Sequence, residues 1–273
     1  MPLVINNNIS SVNSQRQIHR SQVGLNRSLE RLSSGLRINK AGDDAAGLAI
    51  SEKLRGNIRA LNQAVRNAND GISLVQTAEG AMDTIGGMLL RMKELSEQAA
   101  TGTVGTSERG YLNTEYSALR SEITRIAAAT KFNDTNLLDG TLNINLQIGI
   151  SSGSNDRLAL QISNVNASTL SLTTGISTVT NALAALGTTT TAIGTISSRR
   201  SSLGSLQNRL ESVVSNLNTQ VENLTGSESR IRDVDVATET ANLTKFNILV
   251  QAGVSVLAQA NQAPMVALSL LGG

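Results

Sequence analysis

Apolar residues recur at every third or fourth position over most of this sequence, a spacing typical of long amphipathic helices. The pattern is unbroken from Leu54 to Val75 and continues, after a change of phase, from Ile85 to Ala99. Further stretches with the same spacing lie at 112–126 and 203–224. We therefore predict a mainly α fold, a bundle of long helices packed as coiled coils.

The composition supports helices packed side by side and argues against catalysis. Aromatic residues make up 1% of the chain and there is no Trp, so the core is expected to consist of Ala, Leu, Ile and Val. There is no Cys and only one His, which leaves no thiolate nucleophile and no His-rich metal site. We expect no enzyme activity, no cofactor and no bound metal.

Alternation of apolar and polar residues replaces the helical spacing at about 142–162. Leu142, Ile144 and Leu146 alternate with polar residues, and Leu158 and Leu160 do so again after the turn-forming stretch SSGSND. This pattern predicts a small β-hairpin. The Thr-rich stretch that follows, 164–195, is interpreted as partly an exposed segment and partly the start of the next helix.

The stretch SSGLRINKAGDDAAGLAISEKLRG, at 33–56, is interpreted as a joint between two helices. Gly35 is placed to end one helix in a left-handed cap, and Asp43 or Asp44 to cap the next one. The alternative is a pair of catalytic or metal-binding carboxylates. No second cluster of His or acidic residues supplies partners for such a pair, so the structural interpretation is favoured. RDVDVATE, at 232–239, is interpreted as another turn and helix start.

Several partner classes are disfavoured by the same sequence. A net charge of +2 and the absence of aromatic residues among the basic residues near the N-terminus argue against nucleic-acid binding. No run of about 18 apolar residues occurs, so we expect no membrane insertion. The first residues do not form a secretory signal, and export would need another route.

Two long motifs resemble the terminal signatures of bacterial flagellin. One is ERLSSGLRINKAGDDAAGLAISEKLRGNIRALNQAVRNANDGISLVQTAEGA, at 30–81, and the other is ENLTGSESRIRDVDVATETANLTKFNILVQAGVSVLAQANQAPMVALSLL, at 222–271. The middle of the chain departs from many members of that family, because it has little beyond the hairpin and the Thr-rich stretch. The sequence is similar to a compact flagellin without large outer domains.

The resemblance implies a fold and a function. The N- and C-terminal helices, 1–42 and 233–273, are expected to pair as an inner antiparallel coiled coil, with 43–232 forming an outer helical bundle. The expected role is a structural subunit of the hollow filament of the bacterial flagellum, extracellular and used for motility. The implied partners are further copies of the chain, a flagellar export chaperone, the type III export apparatus, and the filament cap and hook-junction proteins.

Candidate interface residues follow from the two terminal stripes. The apolar residues expected to form the polymer core are Ile5, Ile9, Val12, Leu25, Leu29, Leu249, Leu257, Leu268 and Leu271. Two isolated amphipathic segments bury little apolar surface against the entropy of ordering their backbones. We therefore expect both chain ends to be largely disordered in the monomer and to fold on assembly.

A second expectation from the resemblance is recognition by the host Toll-like receptor that senses flagellin. The family segment matches LLRMKELSEQ, at 89–98, which places Arg91 and Leu95 at receptor-contacting positions, with Glu115 as a third. Leu95 also fits the core stripe, and Arg91 also fits a solvated flank. Two other functions stay open on sequence alone: a hook-filament junction protein and a cytosolic coiled-coil scaffold.

Overall fold

The structure is a computed structural model that describes residues 7–271, with side chains described for 7–262. Within these residues the chain is mainly α-helical, with two short antiparallel strand pairs. The helices are α1 (Ile9–Ser34), α2 (Ala45–Ala100), α3 (Thr106–Ala129), α4 (Val179–Arg232) and α5 (Val236–Leu271). The strands are β1 (Lys131–Phe132), β2 (Thr135–Asn136), β3 (Asn143–Gln147) and β4 (Arg157–Gln161).

The predicted helices and hairpin are confirmed. The stripes from Leu54 to Val75 and from Ile85 to Ala99 lie in one continuous helix, α2, of 56 residues. β3 and β4 pair antiparallel with Leu146 opposite Leu158 and Ile144 opposite Leu160. The pair formed by β1 and β2 was not predicted, because two-residue strands carry no periodicity.

The helices begin and end where short polar residues satisfy free backbone groups. Asn8 accepts a hydrogen bond from the Ser11 N–H at 3.0 Å and so caps α1. At the start of α5 the Asp235 carboxylate accepts bonds from the N–H groups of Ala237 and Thr238. The helix start predicted at 232–239 is thereby confirmed.

The chain divides into two compact units. The terminal unit comprises Met1–Gly56 and Asn223–Gly273, and the central unit comprises Asn57–Glu222. These bounds follow compactness alone. The division into inner and outer domains at residues 42 and 233 stays a prediction.

The core of the central unit is built from one face of each of its helices together with the hairpin. On α2 the buried side chains follow the helical spacing, and Tyr116 and Ile123 of α3 are fully buried beside them. Leu158 and Leu160 of β4 close the core from the strand side. The largest fully buried apolar residues of this unit include Leu61, Met82, Ile85, Leu89, Met92, Leu95, Leu137 and Leu138.

The Thr-rich stretch is more ordered than the sequence suggested. Val165, Leu170 and Ile176 are buried in the core, so the connection before α4 is packed rather than freely exposed. The four threonines at 188–191 lie inside α4, and Thr189 is fully buried. The expectation of an exposed segment is corrected to this extent, because apolar residues spaced along the Thr-rich stretch carry it into the core.

Candidate assembly surface

The joint between α1 and α2 is held by backbone hydrogen bonds to two adjacent carboxylates. Gly35 ends α1 in the left-handed conformation, with φ 71°, which a residue without Cβ adopts freely. Asp44 Oδ1 accepts the Gly47 N–H at 2.8 Å and caps α2. Asp43 Oδ2 accepts the N–H groups of Asn39 and Lys40 at 3.3 and 3.2 Å. The joint interpretation is confirmed, and both carboxylates are engaged in structure.

These hydrogen bonds also set the electrostatics of the joint. The N–H of Lys40, reinforced by that of Asn39, holds the pKa of the Asp43 carboxyl below its usual range. The Glu30 carboxylate accepts a hydrogen bond from Lys40 Nζ at 2.7 Å and raises the pKa of that amine. The Asp43 carboxylate and the Lys40 ammonium therefore stay ionised near neutral pH.

The joint is tied directly to the connection between α4 and α5. The Val234 N–H donates to the Gly35 carbonyl at 3.0 Å, and the Arg37 N–H donates to the Arg232 carbonyl at 2.6 Å. The Arg37 guanidinium donates to the Ile231 carbonyl as well. The end of α1 and the start of α5 are thus fixed side by side by main-chain bonds.

Ion pairs add a second set of links within the terminal unit. Arg31 Nη1 lies 3.6 Å from Glu239 Oε2, and the Glu239 side chain is only 8% exposed. Arg232 Nη1 donates to Glu52 Oε1 at 2.8 Å and lowers the pKa of that carboxyl. The exposed pairs contribute little, whereas a buried carboxylate such as Glu239 depends on its partner.

α1 and α5 pack antiparallel, as predicted for the two chain ends. The Asn8 amide donates to the Ala260 carbonyl at 2.7 Å, and the Ser11 hydroxyl lies 2.8 Å from Asn261 Oδ1. The buried residues of α1 are Ser11, Ser21 and Ser28. The most deeply buried side chains of α1 are therefore small and polar.

Large apolar side chains of the same two helices point into solvent. Three of the predicted polymer-core residues are at least half exposed: Ile9 (75%), Val12 (55%) and Leu29 (50%). Leu249 is also exposed, whereas Leu25 and Leu257 are half-buried. Ile5 and the side chains of Leu268 and Leu271 lie outside the described residues. Five further apolar residues of the same helices are exposed and were not predicted: Val23, Val236, Ile248, Val254 and Val256.

This arrangement leaves the terminal unit with apolar surface on both helices that their mutual packing does not cover. Exposed apolar residues gathered on one part of a protein mark an interaction surface more often than single ones do. That the predicted core residues contact other subunits stays a prediction.

The three predicted receptor residues are placed differently from one another. Arg91 Nε donates to Glu115 Oε1 at 2.9 Å, and its Nη1 donates to Glu94 Oε2 at 3.0 Å. The bond to Glu115 is the main reason that the pKa of Arg91 is raised. Leu95 is fully buried in the core. The fold therefore presents Arg91 and Glu115 together at the surface but leaves Leu95 inaccessible to direct contact.

Within the described part of the chain, metal-binding clusters and membrane-spanning helices are both absent. Among residues 7–262 no group of three or more His, Asp or Glu side chains is arranged to hold a metal ion. None of the described helices combines the length and the apolar character that crossing a bilayer requires.

Comparison with known families decides where the chain belongs. The family description "bacterial flagellin N-terminal helical region" matches residues 5–143, and "bacterial flagellin C-terminal helical region" matches residues 186–271. The chain belongs to the bacterial flagellin family. Its flagellin signatures cover α1, α2, α3 and α5 and most of α4.

Full-length flagellin relatives agree with this assignment. The chain is 45% identical to a flagellin of Halalkalibacterium halodurans, with 98% of this chain and all of the relative covered. It is 42% identical to the flagellar filament 33 kDa core protein of Treponema phagedenis over the same shares. The crystal structure of Bacillus cereus flagellin aligns with a TM-score of 0.51 at 32% identity, covering 60% of this chain and 94% of that one.

Proposed function

We propose that this flagellin is a structural subunit of the extracellular filament of the bacterial flagellum, used for motility. The observation that carries the proposal is the exposed apolar surface of α1 and α5 in a chain that matches flagellin at both ends. Exposure of Ile9, Ile248 and Val254 to water is unfavourable in an isolated subunit. Copies of the same chain would cover them.

Burial in a polymer supplies the free energy that the isolated pair lacks. Each large apolar side chain transferred from water into an interface contributes about 1.5–3 kcal/mol. The three buried serines of α1 contribute much less per residue. We therefore propose that the two ends order on assembly, through the nine predicted polymer-core residues and the exposed valines and isoleucine beside them.

Assembly of the purified chain tests the filament function directly. We expect salt-induced polymerisation to give long tubular filaments by electron microscopy. Val254→Asp should reduce polymer yield because it places a charge in the buried interface, whereas Gln251→Asp, at an exposed polar position of the same helix, should reduce it less. A chain that stays monomeric at high concentration would contradict the proposal, and short polymers alone would favour a hook-filament junction role.

Ordering on assembly has its own measurement. Amide hydrogen exchange on depolymerised protein should show fast exchange in 1–42 and 233–273 and slow exchange in α2 and α3, whose core is buried. Strong protection of 1–42 in a true monomer would refute ordering on assembly without touching the filament function.

We further propose that the family's partners act on this chain: a flagellar export chaperone, the type III export apparatus, the filament cap and the hook-junction proteins. The monomer is also proposed to be recognised by the host Toll-like receptor through Arg91 and Glu115. This proposal is supported by Arg91 and Glu115, which form an ion pair at the surface. Leu95 is buried and would act only by packing beneath α2.

Receptor activation by monomeric variants tests this recognition. Arg91→Ala should weaken activation, because it removes an exposed cation and frees Glu115. Arg125→Ala is the matched control, because Arg125 is also an exposed arginine and pairs with Glu122 of its own helix, α3. Equal activation by wild type and both variants would remove Arg91 from the receptor site.

A further inference from the structure

Two glycines inside the terminal helices each receive a side chain of the opposite helix. A Cβ atom on Gly24 of α1 would lie 2.6–2.9 Å from ring carbons of Phe246. A Cβ atom on Gly253 of α5 would lie 2.7 Å from Cγ1 of Ile18. Such distances are well inside ordinary van der Waals contact, so each glycine is a socket that any larger residue would fill.

Along α5 the two socket contacts lie between two polar contacts. Glu239, Phe246, Gly253 and Ala260 lie seven residues apart, which is the coiled-coil repeat. On α1 they face, in turn, Arg31, Gly24, Ile18 and Asn8. The four contacts are thus an ion pair, two contacts between a large side chain and a glycine, and a hydrogen bond from an amide to a carbonyl.

Two helices with a seven-residue repeat can also pair one repeat out of register, because equivalent heptad positions then face each other again. In one direction the slip would bring Phe246 against Ile18, two large side chains at one level. It would also bring the Glu239 carboxylate against Gly24, away from Arg31. Overpacking and a buried charge without its partner are both unfavourable.

A slip in the other direction fails for the opposite reason. Gly253 would face Gly24 and leave a void in the seam, while Phe246 would take the place of Glu239 beside Arg31. A void loses packing contacts that no other residue replaces. The buried serines of α1 are too small and too alike to distinguish the three registers.

We propose that the reciprocal sockets at Gly24 and Gly253 select the register in which α1 and α5 pair. This inference rests on the proposed filament function, in which the two ends must pair the same way in every subunit. A subunit slipped by one repeat would displace the exposed apolar residues of α5 by a full coiled-coil repeat relative to those of α1. The sockets therefore act together with the main-chain hydrogen bond between Gly35 and Val234 to keep the assembled surface the same in each copy.

Single substitutions with a matched control test the proposal. Alanine is the better helix former, so Gly24→Ala and Gly253→Ala would favour assembly if the sockets had no role. We expect instead that each raises the critical concentration for polymerisation about tenfold, as overpacking of this kind implies. Gly56→Ala is the control, because a Cβ there meets open space within the helix α2. Phe246→Leu combined with Gly24→Ala should recover much of the loss.

Disulfide trapping reads the register itself, since the chain has no native cysteine. Ser11→Cys with Asn261→Cys reports the observed register, because the two side chains are hydrogen-bonded. Ser11→Cys with Val254→Cys reports a slip of one repeat. In polymerised protein we expect the first pair to cross-link within one chain. Adding Gly24→Ala should lower that cross-linking.

The outcomes separate the inference from the function on which it rests. Register selection is overturned if Gly24→Ala and Gly253→Ala polymerise at the wild-type critical concentration and cross-link as the wild type does. That result would leave the filament function standing. Failure of the wild type to polymerise would refute the filament function, and the register proposal would fall with it.

Discussion

Arg109 of α3 offers a sharp test of what holds the central unit together. The residue is only 9% exposed, and its guanidinium faces carbonyl groups at the end of α2. Nε donates to the Ala99 carbonyl at 2.8 Å and Nη2 to the Thr101 carbonyl at 3.1 Å. A cation at a helix C-terminus is also favoured by the helix dipole. One side chain therefore closes the turn between α2 and α3.

The size of the effect follows from those two bonds. Hydrogen bonds from a charged donor contribute about 1.5–3 kcal/mol each, and carbonyls left near the surface recover part of that from water. Arg109→Met keeps an apolar stem and removes both donors, so we expect the free energy of unfolding to fall by about 2–4 kcal/mol. Arg109→Lys retains the charge but not the planar fork, and should lose roughly half as much.

Urea unfolding followed by far-ultraviolet circular dichroism measures this loss as a lower midpoint at unchanged slope. Arg125→Met serves as the control, because its guanidinium is exposed and bound to Glu122 on its own helix. Identical midpoints for Arg109→Met and wild type would refute the reasoning. So would equal losses in Arg109→Met and Arg125→Met.

Three further predictions concern the core, the joint and the strand region. Leu95→Ala should lower the free energy of unfolding by about 2–5 kcal/mol in a thermal melt, because the side chain is fully buried; reduced receptor activation without reduced stability would contradict its place in the core. Asp44→Ala should cost about 1 kcal/mol by the same measurement, since it removes the acceptor for the Gly47 N–H; an unchanged melt would show that the cap is dispensable. Hydrogen bonds from the Thr141 N–H and hydroxyl lower the pKa of Asp139 in the folded protein. The contribution of Asp139 to stability is therefore present above the unfolded pKa of about 4 and is lost as pH falls through the folded pKa. Asp139→Asn should lose stability less steeply on acidification than the wild type does, and equal slopes would refute the assignment.

The helices and the joint could be predicted because their causes are local. A stripe at helical spacing, such as the one from Leu54 to Val75, needs only neighbours along the chain to be read. Gly35 ends α1 through its own backbone conformation, and the Asp44 carboxylate caps α2 by accepting an N–H only three residues along the chain. Sequence alone therefore located these features without any knowledge of what packs against them.

The strand pair β1–β2 and the burial of Arg109 could not be predicted in the same way. The pair depends on Asn133 and Asp134, which adopt positive φ values of 46° and 61° to turn the chain within two residues. Asn and Asp are common in many turns, so their presence does not specify this one. The sequence around Arg109 does not distinguish it from other arginines of an amphipathic helix. Its guanidinium becomes a buried cap because the end of α2 lies beside it.

The α1–α5 pair shows most clearly what periodicity leaves undecided. The spacing of Ile9 and Val12 correctly indicates residues that share a helix face, but it does not say which neighbour that face meets. In the structure Ser21 and Ser28 of α1 are buried, whereas Val23 and Leu29 on the same helix are exposed. Small side chains let two helices approach closely while contributing little hydrophobic free energy. Pairing of α1 with α5 therefore leaves part of the apolar surface of both helices exposed, and the spacing alone could not show which part.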